Sequence, residues 1–116
     1  GWFYMKNDKD LTYLGDVLDA IKRIDGYLRG VNKDDFQENL MMQDAVMHQI
    51  EIIGEASNNI SEEFQERHLE LPWMQMRAIR NKIVHDYREV NLNVIWDTAK
   101  NDLPSLKEQI RKLLGE

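Results

Sequence analysis

The sequence predicts an all-α protein, an up-and-down bundle of four principal helices with additional short helical segments. Apolar side chains recur at steps of three and four along most of the chain, which is the period of an amphipathic helix. Only 6 of the 116 residues are Gly and 2 are Pro, so few positions interrupt a helix. The predicted helices are joined by short connections, which favours packing them side by side in a bundle.

The first helix is predicted from about Asp10 to Arg29, with Gly30 placed where a left-handed C-terminal cap is needed. Its stripe consists of Leu11, Leu14, Leu18, Ile21, Ile24 and Leu28. Asp34 and Gln37 resemble a capping box, so a second helical segment is expected to begin there.

The second long helical pattern continues to Ile60, with room for a short break near residues 40–43. Its stripe consists of Phe36, Leu40, Met47, Ile50, Ile53, Ser57 and Ile60. Gly54 costs about 1 kcal/mol relative to alanine inside a helix, which would be justified if another helix packs closely against it. Glu51 and Glu55 share a side of this helix and repel each other. They form either a solvated acidic edge or a contact with an arginine.

The charged stretch from Ser61 to Glu70 predicts a short helix and a loop, and Pro72 suits the first turn of the next long helix. The stripe of that helix consists of Trp73, Met76, Arg80, Ile83 and Tyr87. Arg80 therefore takes the place of an apolar residue, and a buried arginine needs a partner or an interface.

Asn91 is predicted to cap the last helical region. Its stripe consists of Leu92, Ile95, Ala99, Leu103, Leu106, Ile110 and Leu113. Pro104 interrupts this pattern, so we expect a kink or two consecutive helices, the second opened by a capping box of Ser105 and Glu108.

Composition limits the function classes. The net charge of −6 argues against indiscriminate nucleic-acid binding, yet the segment from Arg67 to Arg88 carries +3 and leaves −9 for the remainder. Such a segment indicates either a local anion site or an ordinary solvated face.

The absence of cysteine excludes disulfides and thiolate metal sites and fits a cytoplasmic protein. No apolar run approaches the roughly 20 residues that span a bilayer. Residues 5–116 are expected to form one domain, and residues 1–4 to be a remnant of cloning.

The densest group of reactive side chains is Arg80, Asn81, His85 and Tyr87. On a straight helix Arg80 and His85 lie about 140° apart around the axis. They converge on one atom only if the arginine reaches around, if the helix unwinds near His85, or if a second copy of the chain supplies the complement.

Histidine, arginine and asparagine together suit RNA cleavage in which the 2′-hydroxyl attacks the neighbouring phosphate. Histidine transfers protons near neutral pH, arginine stabilises the growing negative charge, and asparagine orients either group. Metal ligation fits poorly, because His48, His68 and His85 are scattered. The structural alternative is a hydrogen bond or charge complement at a helix end, with Tyr87 as a core aromatic residue.

The pattern Arg80-x4-His85-x-Tyr87 resembles the signature of the HepT-like proteins, a branch of the HEPN (higher eukaryotes and prokaryotes nucleotide-binding) superfamily. The resemblance covers nearly all of residues 5–116. Further similar blocks are residues 11–24, 43–46, 50–56, 71–73, 94–96 and 101–104.

The resemblance implies an HEPN-like helical-bundle homodimer that acts as a metal-independent endoribonuclease without a cofactor, the toxin of a two-gene toxin–antitoxin system. It implies that Arg80 and His85 are the catalytic pair and that Asn81 supports them. The antitoxin would be a minimal nucleotidyltransferase that attaches AMP to Tyr87 and so silences the toxin.

Two rival hypotheses remain open. The chain would be a non-catalytic helical dimer that docks the nucleotidyltransferase or holds a nucleotide, with Arg80 and His85 merely contacting phosphate. Alternatively it would be a purely structural dimer, in which case mutations in this segment change stability alone.

Overall fold

The computed structural model describes residues 2–86 and 89–116, and the side chains of residues 9–83 and 91–116. Its elements follow the chain in the order α1 (Trp2–Tyr27), α2 (Lys33–Glu38), α3 (Leu40–Asn59), α4 (Glu62–Arg67), α5 (Trp73–Ile83), β1 (Val84–Asp86), β2 (Glu89–Val90), α6 (Leu92–Asp97), a π-helical turn (Thr98–Asp102) and α7 (Leu103–Leu114). The all-α prediction is confirmed. The principal helical regions are α1, α3, α5 and the α6–α7 run, and β1 and β2 form a short antiparallel ladder.

Helix α3 lies between α1 and α5, and α7 packs against α1. The core is built from the predicted stripes: Leu14, Leu18, Ile21 and Ile24 of α1 are at most 1% exposed. Each such side chain contributes about 1.5–3 kcal/mol when it is fully removed from water. Leu11, the first member of the predicted stripe, remains 40% exposed.

Local capping residues set the helix boundaries, and the prediction was right at some of them. Gly30 has a φ of +72°, the left-handed conformation expected there. Helix α1 nevertheless ends at Tyr27, two residues before the predicted end. Asn91 accepts hydrogen bonds from the backbone N–H groups of Asn93 and Val94, as predicted for a cap.

Two predicted capping boxes are wrong. Helix α2 begins at Lys33 because the Asn32 side chain, not Asp34, accepts a hydrogen bond from a backbone N–H, at 2.8 Å. Asn39 separates α2 from α3 and caps α3 in the same way, so the break precedes residues 40–43.

The second error concerns Pro104. The chain does not restart at a cap formed by Ser105, because α7 already begins at Leu103 and no side chain caps it. Pro104 has no N–H and cannot bond to a carbonyl one turn earlier. The π-helical turn immediately before α7 widens the backbone there, so the proline is accommodated within a continuous helical run.

Candidate nucleic-acid site

A polar cleft of about 430 Å³ lies between α3 and α5; we call it the α3–α5 cleft. Its lining residues are Arg77, Arg80 and Asn81 from α5 and Glu51, Gly54, Glu55, Asn58 and Asn59 from α3. Two of the four residues predicted to form a functional site, Arg80 and Asn81, therefore share one concavity.

Gly54 lies where α3 and α5 approach each other at this cleft. A β-carbon added to Gly54 would lie 3.5 Å from the Arg80 Cβ and 3.8 Å from the Arg80 backbone nitrogen. Helix α5 therefore does pack against this glycine, which is the condition under which its cost to the helix would be justified. The added carbon would meet ordinary van der Waals contacts and no clash, so alanine also fits at this position.

The burial expected for Arg80 is wrong. The buried side of α5 consists of Trp73, Met76, Ile79 and Ile83, while the Arg80 side chain is exposed. Ile79 and Arg80 are neighbours about 100° apart around the helix, so a small rotation decides which one enters the core. In the single chain, Arg80 points its charge into the solvent-accessible cleft and needs no buried partner.

The helical geometry expected for His85 is also wrong. Helix α5 ends at Ile83, and His85 lies in strand β1, whose residues Val84 and Asp86 pair with Val90 and Glu89. The helix thus ends before His85, which is one of the three ways in which Arg80 and His85 could approach each other. The separation of about 140° between Arg80 and His85 on a straight helix is therefore no longer a reason to expect a second copy of the chain. The His85 side chain lies outside the described part of the structure.

Tyr87, the predicted modification site, also lies outside the described residues. Asn81 is exposed on the last turn of α5, next to the strand that carries His85. The structure therefore brings Arg80 and Asn81 together, and it sets the backbone of His85 just beyond them.

The charges of the α3–α5 cleft are divided between its walls. Glu51 and Glu55 of α3 are exposed and face a wall of α5 that carries Arg77 and Arg80. Within the described side chains, no ion pair joins these carboxylates to either arginine. An anion in the cleft would therefore be attracted to α5 and repelled by α3.

Arg77 is a member of the site that the sequence hypothesis missed. It lies three residues before Arg80, a spacing that places both on one side of a helix, and this spacing was the available signal. Its guanidinium Nη1 donates a hydrogen bond to Gln65 Oε1 of α4, a contact between separate helices that no spacing rule indicates.

A second groove, of about 360 Å³, lies on the other side of α5, against the π-helical turn and α7; we call it the α5–α7 groove. Met76, Ile79 and Leu103 contribute apolar lining. At its rim, Lys82 Nζ lies 3.3 Å from Asp102 Oδ2 in an exposed ion pair.

The described residues also bear on metal binding and on membrane spanning. Within the described residues, no group of three or more His, Asp or Glu side chains is arranged to hold a metal ion. His48 is exposed on α3, and His68 lies against Phe64 with a ring-centroid distance of 4.4 Å. No helix in the described part of the chain combines the length and apolar character needed to cross a membrane.

The fold and the cleft define a small helical-bundle protein with an arginine-bearing polar site between two helices. Comparison with known protein families is more specific: the family described as ribonuclease HepT-like matches residues 17–113 of the chain. The chain belongs to the HepT-like ribonuclease family, as the resemblance of its motif predicted.

Individual relatives agree with this assignment. A probable ribonuclease HepT from Thermococcus cleftensis is 43% identical over 101 residues, which are 87% of this chain and 92% of the relative. A putative RNase from Caldanaerobacter subterraneus is 32% identical over 102 residues, 88% of this chain and 91% of the relative. A Methanocaldococcus jannaschii protein named gamma-glutamylcyclotransferase and putative RNase is 38% identical over 104 residues, 90% of this chain but 47% of that longer protein. No solved structure matches the chain.

Proposed function

We propose that this chain is a metal-independent endoribonuclease, the toxin of a two-gene toxin–antitoxin system, and that it cleaves RNA at a site containing Arg80, Asn81 and His85. Membership of the HepT-like ribonuclease family supports the enzyme class. The observation that supports the residue assignment is the α3–α5 cleft, where Arg80 and Asn81 are exposed, five and four residues before His85 in the chain.

The proposed reaction is an attack by the ribose 2′-hydroxyl on the adjacent phosphorus. The oxygen–phosphorus bond forms as the bond to the 5′-oxygen breaks, which leaves a 2′,3′-cyclic phosphate and a 5′-hydroxyl. His85 accepts the proton of the 2′-hydroxyl or donates one to the leaving 5′-oxygen, and water exchanges the other proton. The Arg80 guanidinium stabilises the additional negative charge on the phosphorane-like transition state, and Asn81 orients the reacting groups.

The active protein is proposed to be a homodimer, with the complete site at the interface between the two copies. Cleft residues Arg80 and Asn81 are exposed in the single chain, which leaves them free to face a second copy. Family resemblance supports the dimer; the helical geometry no longer does, because His85 is not on α5.

The antitoxin is proposed to be a minimal nucleotidyltransferase that attaches AMP to Tyr87. Tyr87 follows His85 by two residues in the motif, and we propose that the added phosphate binds the positive charge of Arg80. The modification would fill the anion site and repel the phosphate of RNA, which is a local electrostatic switch.

His85→Ala tests the catalytic assignment. We expect the unmodified wild-type protein to cleave single-stranded RNA in the presence of a chelator and His85→Ala to lose this activity, because His85 is the proposed proton-transfer residue. Product mass spectrometry should detect a 2′,3′-cyclic phosphate. Cleavage at the wild-type rate by a clean His85→Ala preparation would contradict the assignment. An inactive, unmodified wild-type protein that still binds RNA would favour the non-catalytic alternative.

The switch is tested by intact mass. Protein produced together with the proposed minimal nucleotidyltransferase antitoxin should gain the mass of AMP, and Tyr87→Phe should not. The modified wild-type protein should cleave no RNA, whereas Tyr87→Phe should remain active after the same treatment. Modified protein that cleaves as fast as unmodified protein would contradict the switch.

A further inference from the structure

Arg77 is held in place within the α3–α5 cleft by a contact that the proposed chemistry does not use. Its Nη1 donates to Gln65 Oε1, and the amide of Gln65 in turn donates through Nε2 to the Ile60 carbonyl at 2.9 Å. Gln65 is 9% exposed. Arg77 is itself only half-exposed, so this guanidinium is fixed by buried structure and is not a freely rotating surface cation.

The partner that holds Arg77 does not neutralise it. The Gln65 oxygen belongs to a neutral amide, so the full positive charge remains available to an anion. Lys82, on the opposite side of the same helix, differs in this respect because Asp102 pairs with it at 3.3 Å. Within the described side chains, Arg77 forms no ion pair.

The spacing of Arg77 and Arg80 along α5 suits contacts with two successive phosphates of one nucleic-acid strand. The two arginines are three residues apart on α5, so their Cβ atoms lie about 5–6 Å apart on one helix face, and both line the same cleft. From Arg80, Arg77 lies along α5 in the direction away from His85. The carboxylates of Glu51 and Glu55 on the opposite wall would repel phosphate, so a nucleic-acid backbone in the cleft would lie nearer to α5.

We propose that Arg77, oriented by Gln65, binds the phosphate next to the scissile one, so that the cleft holds two successive phosphates of a single-stranded RNA along α5. This proposal rests on the proposed ribonuclease function. Arginine suits the task because its planar group donates two parallel hydrogen bonds to a phosphate. Arg77 is thereby a substrate-binding residue, and Gln65 is a positioning residue.

A contact made equally in the ground state and the transition state affects KM and leaves kcat unchanged. Arg77→Gln, which removes the charge and keeps an amide donor, should therefore raise KM for a labelled mixed-sequence RNA oligonucleotide by about tenfold with little change in kcat. In a plot of log affinity against log salt concentration, the slope for Arg77→Gln should be shallower than that of the wild type by about 0.7. This is the contribution of one phosphate contact on a single strand.

Two matched variants separate binding from a structural role. Lys82→Gln removes the same charge from the other side of α5 and should change neither KM nor the salt slope. Gln65→Met removes the anchor but keeps the arginine, so it should raise KM less than Arg77→Gln does and preserve the slope. All variants are measured in the full chain, with thermal unfolding as the control for folding.

The decisive binding measurement is fluorescence anisotropy with a 2′-deoxy oligonucleotide of the same sequence, which lacks the attacking hydroxyl. An unchanged KM and salt slope in Arg77→Gln would overturn the proposal, as would equal melting-temperature losses in Arg77→Gln and Gln65→Met with no change in binding. If the wild-type protein cleaves no RNA, the ribonuclease proposal fails by itself. The anisotropy slope then still decides whether Arg77 contacts phosphate.

Discussion

The two grooves beside α5 differ in whether the positive charges of that helix are paired with carboxylates. In the α5–α7 groove, Lys82 is paired with Asp102, and apolar side chains such as Met76 form part of the lining. In the α3–α5 cleft, Arg77 and Arg80 have no carboxylate within ion-pair distance in the described part of the chain, and the facing wall is polar. One helix thus presents a neutralised side and a side whose charge is available to an anion.

The difference shows why charge composition alone could not locate the site. The segment from Arg67 to Arg88 is basic as a whole, but its cations are not equivalent once the chain folds. A lysine beside a carboxylate adds little to the attraction of an anion, whereas an arginine held by a neutral amide or left in solvent keeps its full charge. Anion binding is therefore expected on the α3 side of α5.

The strongest test of this comparison replaces one cation on each side of α5. Arg80→Ala should lower kcat for RNA cleavage by about 10²–10³-fold, the usual effect of removing one group that stabilises transition-state charge. Lys82→Ala should leave kcat unchanged. Both positions are exposed, so each variant should unfold within about 1 kcal/mol of the wild type. Equal activity losses in both variants would remove the distinction between the grooves.

The shape of the cleft is tested at Gly54. Gly54→Leu should destabilise the bundle by about 1–3 kcal/mol, because a large side chain must force α5 away from α3. Gly54→Ala should stabilise it by about 0.5–1 kcal/mol, because the added carbon meets ordinary contacts at 3.5 Å and alanine favours the helix. Urea unfolding of both variants measures these changes. A destabilised Gly54→Ala would show that the helices pack more tightly than the structure indicates.

The acidic wall should have the smallest effect. The double variant Glu51→Gln and Glu55→Gln should bind the 2′-deoxy oligonucleotide about two- to fivefold more tightly at low salt, because exposed charge pairs contribute about 0.2–1 kcal/mol. The gain should disappear at high salt. Asp102→Asn, on the other side of α5, is the control and should not change the affinity. Weaker binding by the double variant would mean that the carboxylates contact RNA hydroxyl or amino groups directly.

Much of the fold could be predicted because it depends on local rules. The apolar stripes of α1 and α3, the left-handed Gly30 and the cap formed by Asn91 each follow from residues close together in the sequence. The errors occurred where two local rules competed. Asn32 displaced Asp34 as the cap of α2, and a π-helical turn accommodated Pro104 without a new cap.

The candidate site was predictable only in part. Arg80 and Asn81 were identified from their residue types and spacing, and they do line one cleft. The end of α5 at Ile83 was not identified, because β1 forms by pairing with β2 and not by any break in the helical pattern. Arg77 was missed although its spacing from Arg80 was an available signal, and its contact with Gln65 of another helix could not be predicted from spacing.

The sequence alone determined the helical class and most residues of the core stripes, and it singled out the candidate reactive group, since periodicity and residue type are properties of neighbouring positions. Tertiary structure decided which side of α5 keeps its charge. The contact of α5 with Gly54, the bond from Arg77 to Gln65 and the pairing of Lys82 with Asp102 each join residues from separate elements. Such contacts depend on how whole helices rotate and approach one another, which no short-range pattern specifies.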